Sequence, residues 1–252
     1  MSPLTALGIT AAGLAAGAVN AVVGSGSLIT FPTLLAAGYA PVLANVSNTV
    51  GLAPGSASAV IGYRRELEGQ RSRALILGSL AFLGGLTGGI LLLELPGSVF
   101  EKVVPVLIVI ACTLISLQPR ISRWLEASGD RHPHGGPRLY ASVLATAVYG
   151  GYFGAAQGVI LISLLTIFID DDLQRLNGLK NVLALVANAV AAILFISFTH
   201  IAWLAAGLIA LGSVLGGQFG ALVGRRLSPR LLRIAIVVVG LVAAAVLFAR
   251  YW

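Results

Sequence analysis

Two sets of polar residues stand inside otherwise apolar stretches of this chain, and their spacing repeats. The first set is Asn45, Ser47, Asn48 and Thr49, and the second is Asn177, Lys180, Asn181 and Asn188. Positions 177, 181 and 188 fall on one face of a helix by their four- and seven-residue steps. Polar side chains turned to lipid are costly, so they must face protein or a wet cavity. There they either tie helices together or hold a solute. Lys180 is the one basic residue well inside these polar segments. It could neutralise a carboxylate- or sulfonate-like group, or it could snorkel to the interface from about one turn inside its helix.

Small residues precede each set. Gly24-Ser25-Gly26-Ser27 lies before the first, and Ala155-Ala156-Gln157-Gly158 before the second. Glycine at Gly24, Gly26 and Gly158 permits a helix break and close approach of a solute to backbone. The helix ends exposed at a break present N–H groups suited to an anion. Helix packing is the competing use of the same glycines, and Gln157 could line the break or tie a loop. The two segments Gly24–Ile29 and Ala155–Ile160 are offset by 131 residues, and Asn45 and Asn177 by 132.

These residues are carried by a membrane protein. The chain has 252 residues, of which 58% are apolar and only 10% charged, with a mean hydropathy of +0.96. A soluble domain carries about 25% charged residues. Long apolar runs lie at about 4–23, 40–62, 74–93, 103–118, 138–157, 176–198, 201–222 and 232–250, most close to the roughly 20 residues that cross a bilayer. The 31 glycines are scattered through them, as close helix packing in lipid requires. The first run lacks a basic leader, so it is read as a retained span.

Net charge is +7, but the arginines sit in short loops, which reads as a topology signal and excludes a nucleic-acid face. Arg64, Arg65, Arg71 and Arg73, then Arg120, Arg123, Arg131 and Arg138, then Arg225, Arg226, Arg230 and Arg233 are expected in the cytoplasm. The link at 94–102 and the turn at Thr199–His200 are expected outside. Two short apolar stretches, 28–38 and 159–169, then need a role. The segment 4–38 is 35 residues, about 52 Å as helix, slightly short for two perpendicular crossings. The favoured reading is about ten crossings, with shortened helices meeting at each break and the N-terminus outside. A re-entrant hairpin is the alternative. On this count it would leave eight spans and force one arginine cluster outward. Either way the expected fold is all-α and polytopic, two inverted repeats with two broken or re-entrant helices. The repeats are placed at 1–118 and 138–252, with a cytoplasmic linker at 119–137.

Other features are read more plainly. Asp170, Asp171 and Asp172 form a tight acidic turn that suits a helix start, and no acidic residue lies at mid-span to relay protons. Pro32 and Pro54 could bend helices. His132 and His134 lack the partners of a metal site, His200 sits in the outer turn, and Arg250-Tyr251-Trp252 anchors at the interface. Cys112 is the only cysteine, which rules out an internal disulfide. No cofactor is expected. There is no Walker loop, zinc HExxH or nucleophile elbow, and Gly24–Ser27 lacks both the lysine of a phosphate loop and a preceding strand. The chain is therefore expected not to be an enzyme.

The duplicated pattern resembles the TauE/SafE sulfite-exporter family. The resemblance rests on the Gly-rich break followed by Ile29-Thr30-Phe31-Pro32, on Ala44-Asn45-Val46-Ser47-Asn48-Thr49 and on Gly62-Tyr63-Arg64-Arg65-Glu66-Leu67. In the second half it rests on Gly154-Ala155-Ala156-Gln157-Gly158 and Asn177-Gly178-Leu179-Lys180-Asn181. Ser25 and Ser27 interrupt the family's usual glycine run, and Ala155-Ala156-Gln157 replaces part of the second. The resemblance implies a multi-pass protein of the bacterial inner membrane that moves sulfite, sulfoacetate or a related organosulfur anion. It implies substrate contact near Gly24–Ser27, Asn45–Thr49, Gln157–Gly158 and Asn177–Asn181. Expected partners are thus a small anion and membrane lipid, with a homodimer allowed and the coupling ion, proton or sodium, left open. A passive anion channel and a non-transporting membrane scaffold are the alternatives.

Overall fold

The computed structural model describes residues 1–126, 135–223 and 229–251. Among them are ten helices and no strand: α1 (Pro3–Val22), α2 (Ser27–Ala36), α3 (Pro41–Gly62), α4 (Arg71–Glu94), α5 (Gly97–Glu126), α6 (Gly136–Tyr152), α7 (Gln157–Phe168), α8 (Leu173–Phe198), α9 (Trp203–Val223) and α10 (Pro229–Tyr251). Helix starts follow local chemistry. Ser2 accepts from the Thr5 amide ahead of Pro3, and Asp172 accepts from the amides of Gln174 and Arg175, so the acidic turn does start a helix. Pro32 and Pro54 lie inside α2 and α3. Helix α5 continues to Glu126, beyond the expected end of the first repeat at 118. His132, His134, Arg131, Arg225 and Arg226 lie outside the described residues.

Among the described residues five helices are both long and apolar enough to span a bilayer: α1, α4, α5 over Gly97–Leu117, α8 and α9. Their outer faces carry exposed Leu4, Leu75, Phe82, Ile193, Leu215 and Phe219. An apolar surface of this kind is stable only against lipid. Helix α3 is long enough but too polar, and it is buried accordingly: Asn45, Ser47, Asn48 and Thr49 are all covered by neighbours. Polarity has moved it from the periphery to the centre.

The halves interlock. Helices α1–α5 correspond in order to α6–α10, and each half packs on the other. Helix α1 lies on α9 as α6 lies on α4, and α3 lies on α9 as α8 lies on α4. Glycines bring the backbones together: a side chain at Gly13 or Gly17 would strike the backbone of Ile209 or Ser213, and one at Gly84 or Gly88 that of Leu144 or Val148.

These contacts also give direction. Gly13 and Gly51 both lie on Ile209, and Gly17 and Gly55 both lie on Ser213, so α1, α3 and α9 run parallel and α1 and α3 start level. Gly84 on Ala147, Gly85 on Ala187, Gly88 on Val148 and Gly89 on Ala191 show α4, α6 and α8 parallel in the same way. Helix α3 runs antiparallel to its counterpart α8. Its end at Tyr63 meets Asn177 near the start of α8, so the repeats are inverted.

Because α3 starts level with α1, the chain must return to its starting side between them. It does so through α2, which has only 10 residues, about 15 Å of helix and half a hydrocarbon core. Helix α7 has 12 residues and the same role in the second half. Each pair, α1–α2 and α6–α7, is thus a hairpin with a half-length return arm, the broken or re-entrant pair expected from the two short apolar stretches. The expected penalty of re-entry does not arise. A hairpin that returns to its own side changes no later orientation, so every arginine cluster keeps its side.

Candidate functional site

Each hairpin turns through a matching break. At the end of α1 the amides of Val23 and Gly24 both donate to the carbonyl of Val19, at 2.7 and 3.0 Å, and Gly24 takes a φ of +87°. At the end of α6, Phe153 and Gly154 both donate to Tyr149, at 2.9 and 3.1 Å, and Gly154 takes a φ of +74°. Both positions need the left-handed backbone that glycine adopts freely. Gly154 is therefore the counterpart of Gly24, one residue from the alignment expected at Ala155. Gly158 is not the second break glycine; it lies in the first turn of α7. Its amide donates to the carbonyl of Gly24 at 3.0 Å, so the two hairpins touch where the halves meet. Neither glycine can carry a Cβ without striking the other's backbone.

A helix that ends inside the protein leaves carbonyls without partners. Helix α8 supplies them for α1. Asn177 and Asn181 donate from Nδ2 to the Ala21 carbonyl at 3.1 and 3.2 Å, and Lys180 Nζ donates to the carbonyls of Asn20 and Ala21 at 3.0 and 3.3 Å. Helix α3 does the same for α6, where Asn45 Nδ2 donates to the Tyr152 carbonyl at 3.0 Å. The repeated asparagines thus share one job, tying the end of a broken helix. Snorkelling by Lys180 is ruled out by this geometry. Its side chain is 0% exposed and its ammonium points to the end of α1, not to an interface.

The symmetry fails at one position. Asn48 stands in α3 where Lys180 stands in α8, and Asn48 accepts from the Thr30 hydroxyl within the α2–α3 pair. The charge is therefore one-sided. Among the described residues Asp171 pairs with Arg73 and Arg175, and no carboxylate pairs with Lys180.

A small cavity of about 20 Å³ lies at the meeting of the breaks, lined by Asn20, Gly24, Ser27, Ser56, Gly154, Gln157, Gly158, Lys180, Asn181, Ala184 and Asn188. It has room for about one water molecule. Gln157 is 2% exposed, and neither its Oε1 nor its Nε2 has a hydrogen-bond partner. Its side chain fills the notch over Gly150. Buried polar atoms are nearly always paired, so two unpaired atoms on one side chain set Gln157 apart from its neighbours. Ser25 Oγ, Asn45 Oδ1 and Asn177 Oδ1 are orphaned too.

Of the residues singled out in the sequence, Gly24, Ser27, Gln157, Gly158, Lys180, Asn181 and Asn188 line this cavity. Gly26 supports it by donating its amide to Asn20 Oδ1 at 2.6 Å. Asn45, Asn48, Thr49 and Asn177 brace the helices around it, with Thr49 bonded back to the Asn45 carbonyl at 3.0 Å. Sequence reasoning missed Asn20, Ser56, Gly154 and Tyr149, whose hydroxyl donates to the Ala155 carbonyl at 2.5 Å. Asn20 is legible as the one amide side chain in the first apolar run, just ahead of its break.

On the cytoplasmic side expected from the arginines, a polar lock joins the halves. Asp171 pairs with Arg73 and accepts from Arg175 Nε at 2.8 Å, Arg175 donates to the Glu68 carbonyl at 3.1 Å, and Gln70 donates to the Arg175 carbonyl at 2.9 Å. Partial burial pushes the Asp171 carboxyl up, but Arg73, the Asp172 amide and Arg175 more than offset it and hold it below the usual carboxylate range. The group stays ionised and ties the α3–α4 loop to the start of α8.

The chain is similar in sequence to known proteins. The chain is 26% identical over 231 residues to the probable membrane transporter protein YfcA of Escherichia coli K12, covering 91% of this chain and 84% of that one. It is 24% identical over 236 residues to the probable membrane transporter protein ORF9 of a Sinorhizobium species, covering 93% and 88%. A probable membrane transporter protein of Haemophilus influenzae is 24% identical over 235 residues, covering 92% and 90%. No solved structure matches. The family model described as sulfite exporter TauE/SafE matches residues 9–247, nearly the whole chain including both hairpins, and this protein belongs to that family.

Proposed function

We propose that this membrane transporter is a secondary carrier that moves a small anion of the sulfite, sulfoacetate or related organosulfur class across the bacterial inner membrane by alternating access. One observation carries the reading: the fully buried Lys180 ammonium pairs with no carboxylate among the described residues and lies beside the crossing of two broken helices. A buried cation without a counter-ion is costly, and a bound anion relieves that cost. The first turns of α2 and α7 add backbone N–H groups that favour negative charge, and Gln157 adds a donor with no other employment. Gly24, Ser27, Gly158, Asn181 and Asn188 would shape the site, while Ser25, Gly26, Asn45, Asn48, Thr49 and Asn177 hold its walls.

The inverted hairpins supply the moving parts. Each return arm is half-length and packs on helices of both halves, so rocking one half against the other would open the crossing to one side and then the other. The cavity of about 20 Å³ is too small for a sulfonate, which fits an occluded carrier and disfavours a standing channel. Radiolabelled flux into proteoliposomes tests the reading, with sulfite, sulfonates and carboxylates offered in turn. Saturable uptake of an organosulfur anion, with counter-transport from preloaded vesicles, is expected. No flux of any anion in either mode would reject it in favour of a scaffold, and flux without counter-transport would favour a facilitator.

A further inference from the structure

We infer that Lys180 is also the proton-carrying group of the cycle, so that the anion moves with one proton and the carrier returns empty with a neutral amine. The inference rests on the transporter reading and adds its coupling ion. Its ground is the match between the hydrogen-bond capacity of Lys180 and its surroundings. A neutral amine has two N–H donors, and two carbonyls, Asn20 and Ala21, receive them. The lone pair is then free to face the cavity. Protonation converts that lone pair into a third N–H, for which Asn20 and Ala21 offer no further carbonyl and which a bound anion would satisfy.

The surroundings leave no other group to hold the charge. Helix α1 offers Lys180 only carbonyls and Asn20, α7 offers Gln157 and Gly158, α3 offers Ser56, and α8 itself offers Asn181 and Asn188. Tyr63 in the α3–α4 connection bonds to Asn177, Tyr149 of α6 bonds to Ala155, and Glu66 of the same connection lies beside Gly178 of α8. Among the described residues, no carboxylate, imidazole or guanidinium lines the cavity. An empty carrier with a charged Lys180 would have to move an unpaired ion through its occluded form, which burial makes costly. Releasing the proton with the anion removes that cost, and the loaded carrier is neutral at the site because ammonium and anion cancel.

The test uses purified full-length protein in liposomes containing a trapped pH dye, with labelled methanesulfonate and, separately, sulfite as probes. A sulfonate carries no titratable proton near neutral pH, so any proton that moves with it belongs to the protein. Wild type is expected to carry about one proton per methanesulfonate, and one unit of pH gradient to give about tenfold accumulation, since it is a tenfold difference in proton activity. An imposed membrane potential should leave that accumulation unchanged. Lys180→Arg keeps the donors and the charge but cannot lose its proton. It should lose net uptake and its pH dependence far more than it loses anion-for-anion exchange. Methanesulfonate or sulfite uptake by wild type with no accompanying proton, or gradient-driven net uptake by Lys180→Arg at the wild-type rate, would overturn the inference while leaving the carrier reading intact. If Lys180→Arg loses both modes, the wild-type proton count decides. Absence of all flux would remove both readings together.

Discussion

The amide of Gly158 donates to the carbonyl of Gly24 at 3.0 Å, and this bond joins the two halves of the protein at their breaks. It is possible only because neither residue has a side chain. Everything that lines the cavity is positioned relative to that crossing.

Replacing either glycine therefore tests the architecture. Gly24→Ala and Gly158→Ala each place a Cβ against the partner's backbone, and Gly24 also requires a positive φ. Each should lower stability by about 2–4 kcal/mol, as overpacking and backbone strain do. Gly8→Ala and Gly207→Ala, which lie in α1 and α9 and meet nothing within 4 Å, should hold or slightly raise stability. Thermal melting of detergent-purified protein followed by size-exclusion chromatography checks this; equal melting temperatures for all four would refute the tight crossing.

Lys180→Gln should reduce anion uptake at least tenfold at unchanged membrane abundance. Glutamine can still donate to the end of α1 but brings no charge to the site. Normal uptake at normal abundance would mean that Lys180 only ties the helix end.

Gln157 separates stability from function. Both of its polar atoms are buried without partners, so Gln157→Met removes two orphans at nearly constant volume. Replacing unsatisfied polar groups by apolar ones of the same shape is neutral or stabilising. Melting temperature should hold or rise while uptake falls. A clear loss of stability would show that the side chain has partners after all.

Asp171→Asn should weaken the lock between the halves by on the order of 1 kcal/mol at neutral pH, since the pairs with Arg73 and Arg175 are partly shielded from water. Folding lowers the carboxyl's pKa, so its contribution is complete above the unfolded value and disappears as pH falls through the folded one. The gap in melting temperature between wild type and Asp171→Asn should thus close in acid, below about pH 4. A gap that persists there would point to packing rather than charge.

Orientation is open to direct labelling. Single cysteines at Thr199 and Arg65 in a Cys112→Ala background should react with an impermeant maleimide from opposite faces, Thr199 from outside the cell. Labelling of both from one face would contradict the inverted repeat.

Much of the architecture is legible in the residues themselves. The apolar runs announce membrane helices because lipid tolerates no other surface on them. Paired small-residue breaks and paired asparagines, at nearly one offset, announce a duplication. The break in the second half reads one residue late because Gly158 draws attention from Gly154, and only the observed φ distinguishes the glycine that turns the chain from one that packs. The crossing count stays between eight and ten for a different reason. Length alone cannot distinguish a short helix that crosses from one that turns back.

By itself the sequence determined the solvent, the number of helices near ten, the duplication and the polar side chains that need a protected place. Those follow from composition and short-range spacing, which act residue by residue. Tertiary structure decided where α2 and α7 end, which asparagine ties which helix, and that Lys180 turns inward to the end of α1 instead of outward to the interface. These choices depend on carbonyls freed in one half being met by donors about 160 residues away in the other, as Lys180 meets Asn20. A linear sequence carries no record of such a meeting until the halves pack.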